Sequence, residues 1–214
     1  MAEVVKKDAM TFTDFLRTRF KGVLDPIAGF LNRLGLMPNT VTLLGLLGNT
    51  IGAYFLATGN ITLGGIIILL MGPVDALDGT MARLRGMSSN FGAFVDSVTD
   101  RYSELVIFGG LLFYYLQQQS WLGAGLAYLA AAGSILVSYT RARAQSLNME
   151  AKVGLFSRVE RFLLLAPCLV FNQPMIALWV LAVLTNITAV QRILHVRQQS
   201  YEREGLGKKT SFRG

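Results

Sequence analysis

Four aspartates lie in a segment flanked by almost purely apolar sequence: Asp75, Asp78, Asp96 and Asp100. If the segment is helical, Asp75 and Asp78 share one helix face, and Asp96 and Asp100 share a face of the next helix. Like charges at this spacing repel, and a carboxylate buried in a membrane is costly, so cations are expected to neutralise the cluster. Ligands that are all oxygen, without His or Cys, favour a hard divalent ion, Mg²⁺ or alternatively Mn²⁺.

The spacing of the four acids allows two ions to be held between the two helices. Two ions a few ångströms apart form a clamp for phosphoryl chemistry. Small residues near the acids leave room for a ligand, although they also permit plain helix packing in membranes; they are Gly79, Ala82 and Gly92. Arg83 is placed to contact an anion held by the metals, and the alternative is that its side chain extends to the membrane surface.

Three stretches without a charged residue must supply the helices that position this cluster: residues 34–74, 105–140 and 162–191. One membrane-spanning helix needs about 20 apolar residues, so each stretch is long enough, or nearly so, for two. A polar break lies near the middle of each stretch, at residues 58–60, 117–120 and 172–174. The pattern predicts an all-α integral membrane protein with six transmembrane helices, in a single domain over residues 1–214.

The basic residues indicate how the helices are oriented. All 20 Lys and Arg residues lie at or beyond the ends of the charge-free stretches, and none lies in the polar breaks. The positive-inside rule then places both termini and the acidic cluster on the cytoplasmic side. The net charge of +7 belongs to that surface, where it suits anionic lipids or an anionic substrate rather than nucleic acid.

The two ends of the chain differ from its apolar middle. Residues 12–36, within an N-terminal segment 1–36, mix large apolar side chains with arginines and predict an amphipathic interfacial helix, broken near Pro26. Residues 198–214 are polar and basic and predict a mobile tail. The single cysteine lies in an apolar run and permits neither a disulfide nor a cysteine-based metal site within one chain.

The acidic segment resembles the signature of a known enzyme family. Its pattern is Asp75-x-x-Asp78-Gly79-x-x-Ala82-Arg83, eight further residues, and then Gly92-x-x-x-Asp96-x-x-x-Asp100. These positions stand at the spacing of the CDP-alcohol phosphatidyltransferases, and six spans with an amphipathic N-terminal helix also match that family. The resemblance implies that an alcohol displaces CMP from a CDP-linked lipid, in a membrane enzyme that forms a homodimer.

The resemblance also implies roles for individual residues. Asp75, Asp78 and Asp96 would bind two metal ions, and Asp100 would help to bind metal and act as the base on the attacking hydroxyl. The nucleotide side would comprise Asp78 and seven further positions: Pro38, Asn39, Thr42, Gly79, Ala82, Arg83 and Gly92. The alternative for Asn39 is that it caps the first spanning helix.

Arginines near the cytoplasmic ends of the later spans predict a pocket for a phosphorylated acceptor: Arg141, Arg143, Arg158, Arg161 and Arg192. Arginine binds phosphate through paired charged hydrogen bonds, and the alternative is plain positive-inside anchoring. Residues 138–144 and 154–161 resemble the bacterial phosphatidylinositol phosphate synthases and their archaetidylinositol phosphate relatives, although Arg141 replaces a common lysine and Ser157 a glutamate. This resemblance implies transfer from CDP-diacylglycerol, or an archaeal diether analogue, to inositol 1-phosphate.

Two other functions are alternatives on the sequence alone. A phosphatidylglycerophosphate synthase, or another member of the family, would use a different acceptor such as glycerol 3-phosphate; the former typically carries a Gly-Lys-x-Lys-Thr stretch that this chain lacks. A cation transporter would also bury aspartates, but it would need ionisable groups in the outward halves of the helices, where the sequence has none. The sequence therefore favours a transferase in the cytoplasmic membrane of a prokaryote.

Overall fold

The computed structural model describes residues 12–86, 89–151, 153–154 and 156–203. Within these ranges the chain contains no β-strand, which confirms the all-α prediction. The same ranges hold seven helices: α1 (Phe12–Arg33), α2 (Pro38–Ala57), α3 (Ile61–Leu84), α4 (Asn90–Gln117), α5 (Trp121–Ser146), α6 (Arg158–Val170) and α7 (Pro174–Arg203).

The three predicted polar breaks each separate two consecutive helices, α2 from α3, α4 from α5 and α6 from α7. In each break one residue has a left-handed backbone, with φ of 89° at Gly59, 54° at Gln119 and 56° at Asn172. Such a residue ends a helix because its backbone cannot continue the right-handed turn. The positions of these breaks in the sequence are therefore confirmed.

The connection between α3 and α4 is set by residues at the two helix ends. α3 ends at Leu84, and Gly86 has φ of 63°, a conformation that glycine adopts without a steric cost. Ser89 caps α4, because its hydroxyl accepts a hydrogen bond of 3.0 Å from the Gly92 amide. Of the two helices that carry the aspartates, α3 therefore ends at Leu84 and α4 begins at Asn90, a few residues later.

α2 packs against both α3 and α4, whereas α3 and α4 make few direct contacts with each other. Glycines allow the close approach to α2: a Cβ at Gly110 would lie 2.5 Å from the Ala53 carbonyl oxygen, and one at Gly64 would lie 2.7 Å from the Gly52 oxygen. α5 packs on α4 and α7, and α6 packs on α3 and α7. The aspartate-bearing helices are thus joined through α2 rather than through an interface of their own.

Among the described residues, four helices are long and apolar enough to cross a membrane: α2, α3, α5 and α7. α4 is long, but residues 96–104 include four charged side chains. α6 has 13 residues and rises roughly 20 Å, less than the ~30 Å thickness of a bilayer core. Large apolar side chains cover the outer surface, among them Phe91, Trp121 and Phe171, as expected where helices contact lipid. The chain is an integral membrane protein.

The first helix differs from the sequence expectation at Pro26. α1 runs through this proline without a break. A proline removes one helical hydrogen bond, but the following turn is held on the bundle because Ala28 packs in a small cluster with Val41, Leu77 and Met81. The Asn32 side-chain amide also donates a hydrogen bond of 3.2 Å to the Met81 carbonyl. Residues 1–11 lie outside the described residues.

The last helix is longer than expected. α7 continues through residues 198–203, which the sequence assigns to a mobile tail. The reason is that Gln199 forms two hydrogen bonds with the backbone of Glu150, of 3.1 Å to its amide and 2.6 Å to its carbonyl. Arg203 likewise donates to the Asn148 carbonyl. The rest of the predicted tail, residues 204–214, lies outside the described residues.

Candidate active site

Asp78 on α3 is buried and is held by neutral donors. Its Oδ2 accepts a hydrogen bond of 2.6 Å from the Thr42 hydroxyl on α2, and its Oδ1 accepts one of 2.5 Å from the Gly79 amide. The side chain of Thr42 is itself buried, so this contact is shielded from water. Neutral donors orient a carboxylate without cancelling its charge, which leaves Asp78 able to attract a cation.

A cavity of about 430 Å³ opens beside Asp78, between the first turns of α2 and α4 and the end of α3. Every position that the sequence assigns to the nucleotide side lines this cavity, together with Asp96: Pro38, Asn39, Thr42, Asp78, Gly79, Ala82, Arg83 and Gly92. A Cβ at Gly92 would lie 3.2 Å from the Ser89 hydroxyl, so a larger residue there would crowd the wall of the cavity. Arg83 is directed by a hydrogen bond of 2.8 Å from its Nη2 to the Thr80 hydroxyl.

Asp75 and Asp100 are held by a guanidinium group instead. Arg158, in the first turn of α6, forms an ion pair with Asp75, and its Nη2 lies 2.7 Å from Oδ1 of Asp100. Asp75 also lies close to α2, where a Cβ at Gly45 would come within 3.0 Å of its Oδ1. Arg158, which is predicted to bind the acceptor, thus contacts two of the aspartates that are predicted to bind metal.

The sequence predicts that the four carboxylates meet between α3 and α4, and the structure does not bring them together in that way. In the part of the chain that the structure describes, no three Asp, Glu, His or Cys side chains form a group that could hold a metal ion. One reason is that α3 and α4 are joined through α2, and another is that Arg158 contacts both Asp75 and Asp100. The four carboxylates nevertheless offer only oxygen ligands, which suit a hard divalent ion. Asp96 also acts electrostatically on each of the other three aspartates.

Arg161 lies one turn after Arg158 and pairs with an acid that the sequence analysis overlooked. Its Nε and Nη2 donate hydrogen bonds of 3.1 and 2.5 Å to Oε1 of Glu104, and the Arg161 side chain is buried. The signal for Glu104 was present in the sequence, because it follows Asp100 by four residues and continues the acidic stripe that Asp96 begins. Arg161 is therefore engaged by the protein itself.

The other arginines of the predicted acceptor pocket have different surroundings. Arg192 is buried, and its guanidinium donates to the carbonyls of Val137 and Val153. Arg141 on α5 and Arg161 on α6 both act electrostatically on Arg192 of α7. Arg143 is exposed and donates a hydrogen bond of 3.3 Å to the Ser146 hydroxyl.

The model of the CDP-alcohol phosphatidyltransferase family matches residues 35–196, a range that includes the four aspartates and the whole cavity lining. The chain belongs to this family. The protein is therefore a phosphatidyltransferase of phospholipid biosynthesis, and the interpretation as a cation transporter is set aside. The oxygen-only donor set of the four aspartates is of the kind that binds a hard divalent metal ion.

Two relatives of the transferase are named as synthases of inositol phospholipid phosphates. It is 39% identical to the phosphatidylinositol phosphate synthase of Streptomyces avermitilis, over 88% of this chain and 83% of that protein. It is 33% identical to the archaetidylinositol phosphate synthase of Pyrococcus horikoshii, over 86% of this chain and 96% of that protein.

Solved structures of the phosphatidylinositol phosphate synthase of Mycobacterium tuberculosis resemble the transferase closely. The crystal structure with CDP-DAG bound has a TM-score of 0.77 and 30% sequence identity, and covers 81% of this chain and 93% of that one. The complex of the same enzyme with manganese and citrate has a TM-score of 0.75 at 30% identity, over 81% of this chain and 88% of that one.

Proposed function

We propose that the protein transfers a phosphatidyl group from CDP-diacylglycerol to inositol 1-phosphate, forming a phosphatidylinositol phosphate and releasing CMP. The observation that carries the proposal is the contact between Asp100 and the arginine-bearing α6, in a cluster of which two other acids, Asp78 and Asp96, line the cavity beside α2. A nucleotide and a phosphorylated alcohol could therefore approach the same carboxylates from different elements. The names of the relatives support inositol phosphate as the acceptor.

The cavity residues would bind the CDP part of the lipid, with Gly79, Ala82 and Gly92 providing room and Arg83 a positive charge. The four aspartates would hold divalent ions, and a bound divalent ion neutralises the diphosphate and stabilises the departing CMP. Asp100 would accept the proton of the attacking inositol hydroxyl. As the new oxygen–phosphorus bond forms, the bond to the CMP oxygen breaks, and CMP leaves with that electron pair.

Arginines of α5, α6 and α7 would bind the phosphate of the acceptor. A phosphate monoester carries nearly two negative charges at neutral pH, and the Arg192 guanidinium is repelled electrostatically by both Arg141 and Arg161. An anion placed among them would relieve that repulsion. Arg158 would hold the acceptor beside Asp100, which it already contacts. Arg143 lies at the exposed end of α5, where it would contribute to attracting the anion.

The proposed membrane arrangement has six spans in one domain over residues 1–214, with α4 and α6 completing the set of four apolar helices. Residues 105–117 of α4 carry no charge. The charged residues within 96–104 of α4 and the charged first turn of α6 would face the site rather than lipid. α1 would lie in the interface. Both termini and the site would face the cytoplasm of a prokaryote, and the enzyme would act as a homodimer.

Initial rates of CMP release with CDP-diacylglycerol and a panel of acceptors test this function. We expect inositol 1-phosphate to be preferred, and free inositol to be a poor substrate because it would leave the arginines without an anionic partner. Preference for glycerol 3-phosphate would retain a pocket for phosphate but identify a phosphatidylglycerophosphate synthase instead. Equal rates with free inositol would rule out the pocket.

A further inference from the structure

We propose that Glu104 is a positioning residue, which holds the first turn of α6 so that Arg158 lies beside Asp100. What Arg158 then does, namely hold the phosphorylated acceptor, rests on the proposed function. The positioning itself rests on contacts among α4 and α6 that involve neither substrate. Glu104 contacts no part of the predicted nucleotide cavity.

Glu104 and Arg161 form a buried ion pair. The Arg161 side chain is 4% exposed and that of Glu104 15% exposed, and the shortest nitrogen–oxygen distance between them is 2.5 Å. Arg161 Nη1 also donates a hydrogen bond of 3.3 Å to the Phe156 carbonyl, just before α6 begins. One glutamate therefore holds both the first turn of α6 and the backbone that leads into it.

A second ion pair lies alongside the first. Arg158 contacts Asp100, and Arg161 contacts Glu104, so residues three apart on α6 meet residues four apart on α4. These spacings correspond to about one helical turn on each side. Two such bridges fix both the rotation of α6 and its position along α4. The placement of α6 against α4 depends largely on these two bridges, because the backbones of the two helices make few other direct contacts.

Arg101 cannot replace Arg161 as the partner of Glu104. The Nε of Arg101 lies 3.9 Å from Oε2 of Glu104, and neither atom has a hydrogen-bond partner among the described residues. Arg101 instead reaches Asp100, at 3.4 Å. The contact of Glu104 that meets hydrogen-bond distance is therefore the one to α6.

The pair is not explained by stability alone. Burying two charges has a desolvation cost, and replacing a buried ion pair by apolar residues of similar size is often neutral or stabilising. Removing one partner, in contrast, leaves an unpaired buried charge and destabilises the fold. The geometry points to a role in placing Arg158, and it suggests that both partners be changed together.

The test uses the full-length enzyme with Glu104→Met and Arg161→Met combined, which removes the bridge without leaving a buried charge. We expect the KM for the phosphorylated acceptor to rise about tenfold, because Arg158 is no longer held at Asp100. In an Arg158→Ala background the same two changes should raise this KM no further, whereas direct loss of Arg161 from the phosphate pocket would add to the rise and overturn the proposal. The KM for CDP-diacylglycerol should change less than about twofold, because the cavity residues are untouched. If the double variant does not accumulate in the membrane, Glu104→Gln is measured by the same criteria.

Leu111→Ala is the matched control for general loosening, because Leu111 is a fully buried residue of α4 two turns beyond Glu104. It should lower thermal stability while leaving the ratio of the two KM values unchanged. The proposal would be overturned by an unchanged acceptor KM in the double variant, or by a change in the ratio of the two KM values in Leu111→Ala as large as that in the double variant. The comparison uses whichever acceptor the wild type prefers, so a different acceptor refutes the proposed function without deciding the role of Glu104.

Discussion

Two sides of the acidic cluster hold their carboxylates by different chemistry. Asp78 receives hydrogen bonds from a hydroxyl and a backbone amide and faces the cavity, so its orientation is fixed while its negative charge is kept. Asp75 and Asp100 share one guanidinium, which fixes their orientation and offsets their charge together. The first arrangement leaves a carboxylate available to a metal ion, whereas in the second a metal ion must compete with Arg158.

The largest loss of activity should come from removing the metal ion or a carboxylate that faces the cavity. EDTA should abolish CMP release, and Mg²⁺ or Mn²⁺ should restore it. Asp78→Asn keeps an oxygen for the Thr42 hydroxyl but loses the charge, so kcat should fall roughly 100-fold or more. Asp75→Asn and Asp96→Asn should behave alike, whereas Ser97→Ala, an exposed neighbour on α4, should remain active. Full activity in EDTA would contradict the metal-assisted mechanism.

Asp100→Asn separates the role of a base from that of a metal ligand. We expect turnover to fall roughly 100-fold or more while CDP-lipid binding is kept better than in Asp75→Asn, because a base is needed only when the acceptor reacts. Single-turnover rates and equilibrium binding of the CDP-lipid measure the two effects separately. Equal loss of nucleotide binding in both variants would show that Asp100 serves chiefly as a metal ligand.

Arg158→Ala tests the guanidinium side directly. Loss of a charged hydrogen bond, worth roughly 1.5–3 kcal/mol, should raise the KM for inositol 1-phosphate about tenfold or more. The same change should tighten Mn²⁺ binding, measured by electron paramagnetic resonance, because Asp75 and Asp100 lose their competing cation. Arg197→Ala is the control, since Arg197 stacks 5.4 Å from the Tyr201 ring at the far end of α7. Weaker Mn²⁺ binding in Arg158→Ala would contradict the competition between Arg158 and the metal ion for Asp75 and Asp100.

A smaller effect is expected from the neutral donor of the cavity side. Thr42→Val keeps the shape of the side chain but removes the hydroxyl that binds Asp78, so kcat/KM for the CDP-lipid should fall by roughly tenfold. Thr42→Ser retains the hydroxyl and should stay within about threefold of the wild type. If both variants match the wild type, the orientation of Asp78 does not depend on Thr42.

The parts of the structure that the sequence predicts are those set by local signals. The polar breaks at Gly59, Gln119 and Asn172 depend on residues within a few positions of one another. The cavity lining also follows from sequence, because Gly79, Ala82 and Arg83 lie within a few turns of Asp78 on α3. The residues of α2 in this lining, from Pro38 to Thr42, follow from the resemblance to the family.

The unpredicted parts depend on where α6 lies. Arg158 and Asp75 are far apart in the sequence, and no local pattern says that a short helix places one against the other. The pairing of Glu104 with Arg161 is of the same kind, although the acidic stripe on α4 could have singled out the glutamate. Charge patterns show that arginines are needed on one side of the membrane, but not which of them will contact protein carboxylates.

Gly110 packs closely against the Ala53 carbonyl of α2, and it lies on the same helix, α4, as Asp100. Ten residues of helix separate the two positions on α4, a distance of about 15 Å. A tilt of α4 by about 4° at Gly110 would move the Asp100 carboxylate by about 1 Å. A displacement of that size can lower a rate on the order of 100-fold. The placement of the Asp100 carboxylate thus depends on packing at Gly110, among uncharged residues of α2 and α4.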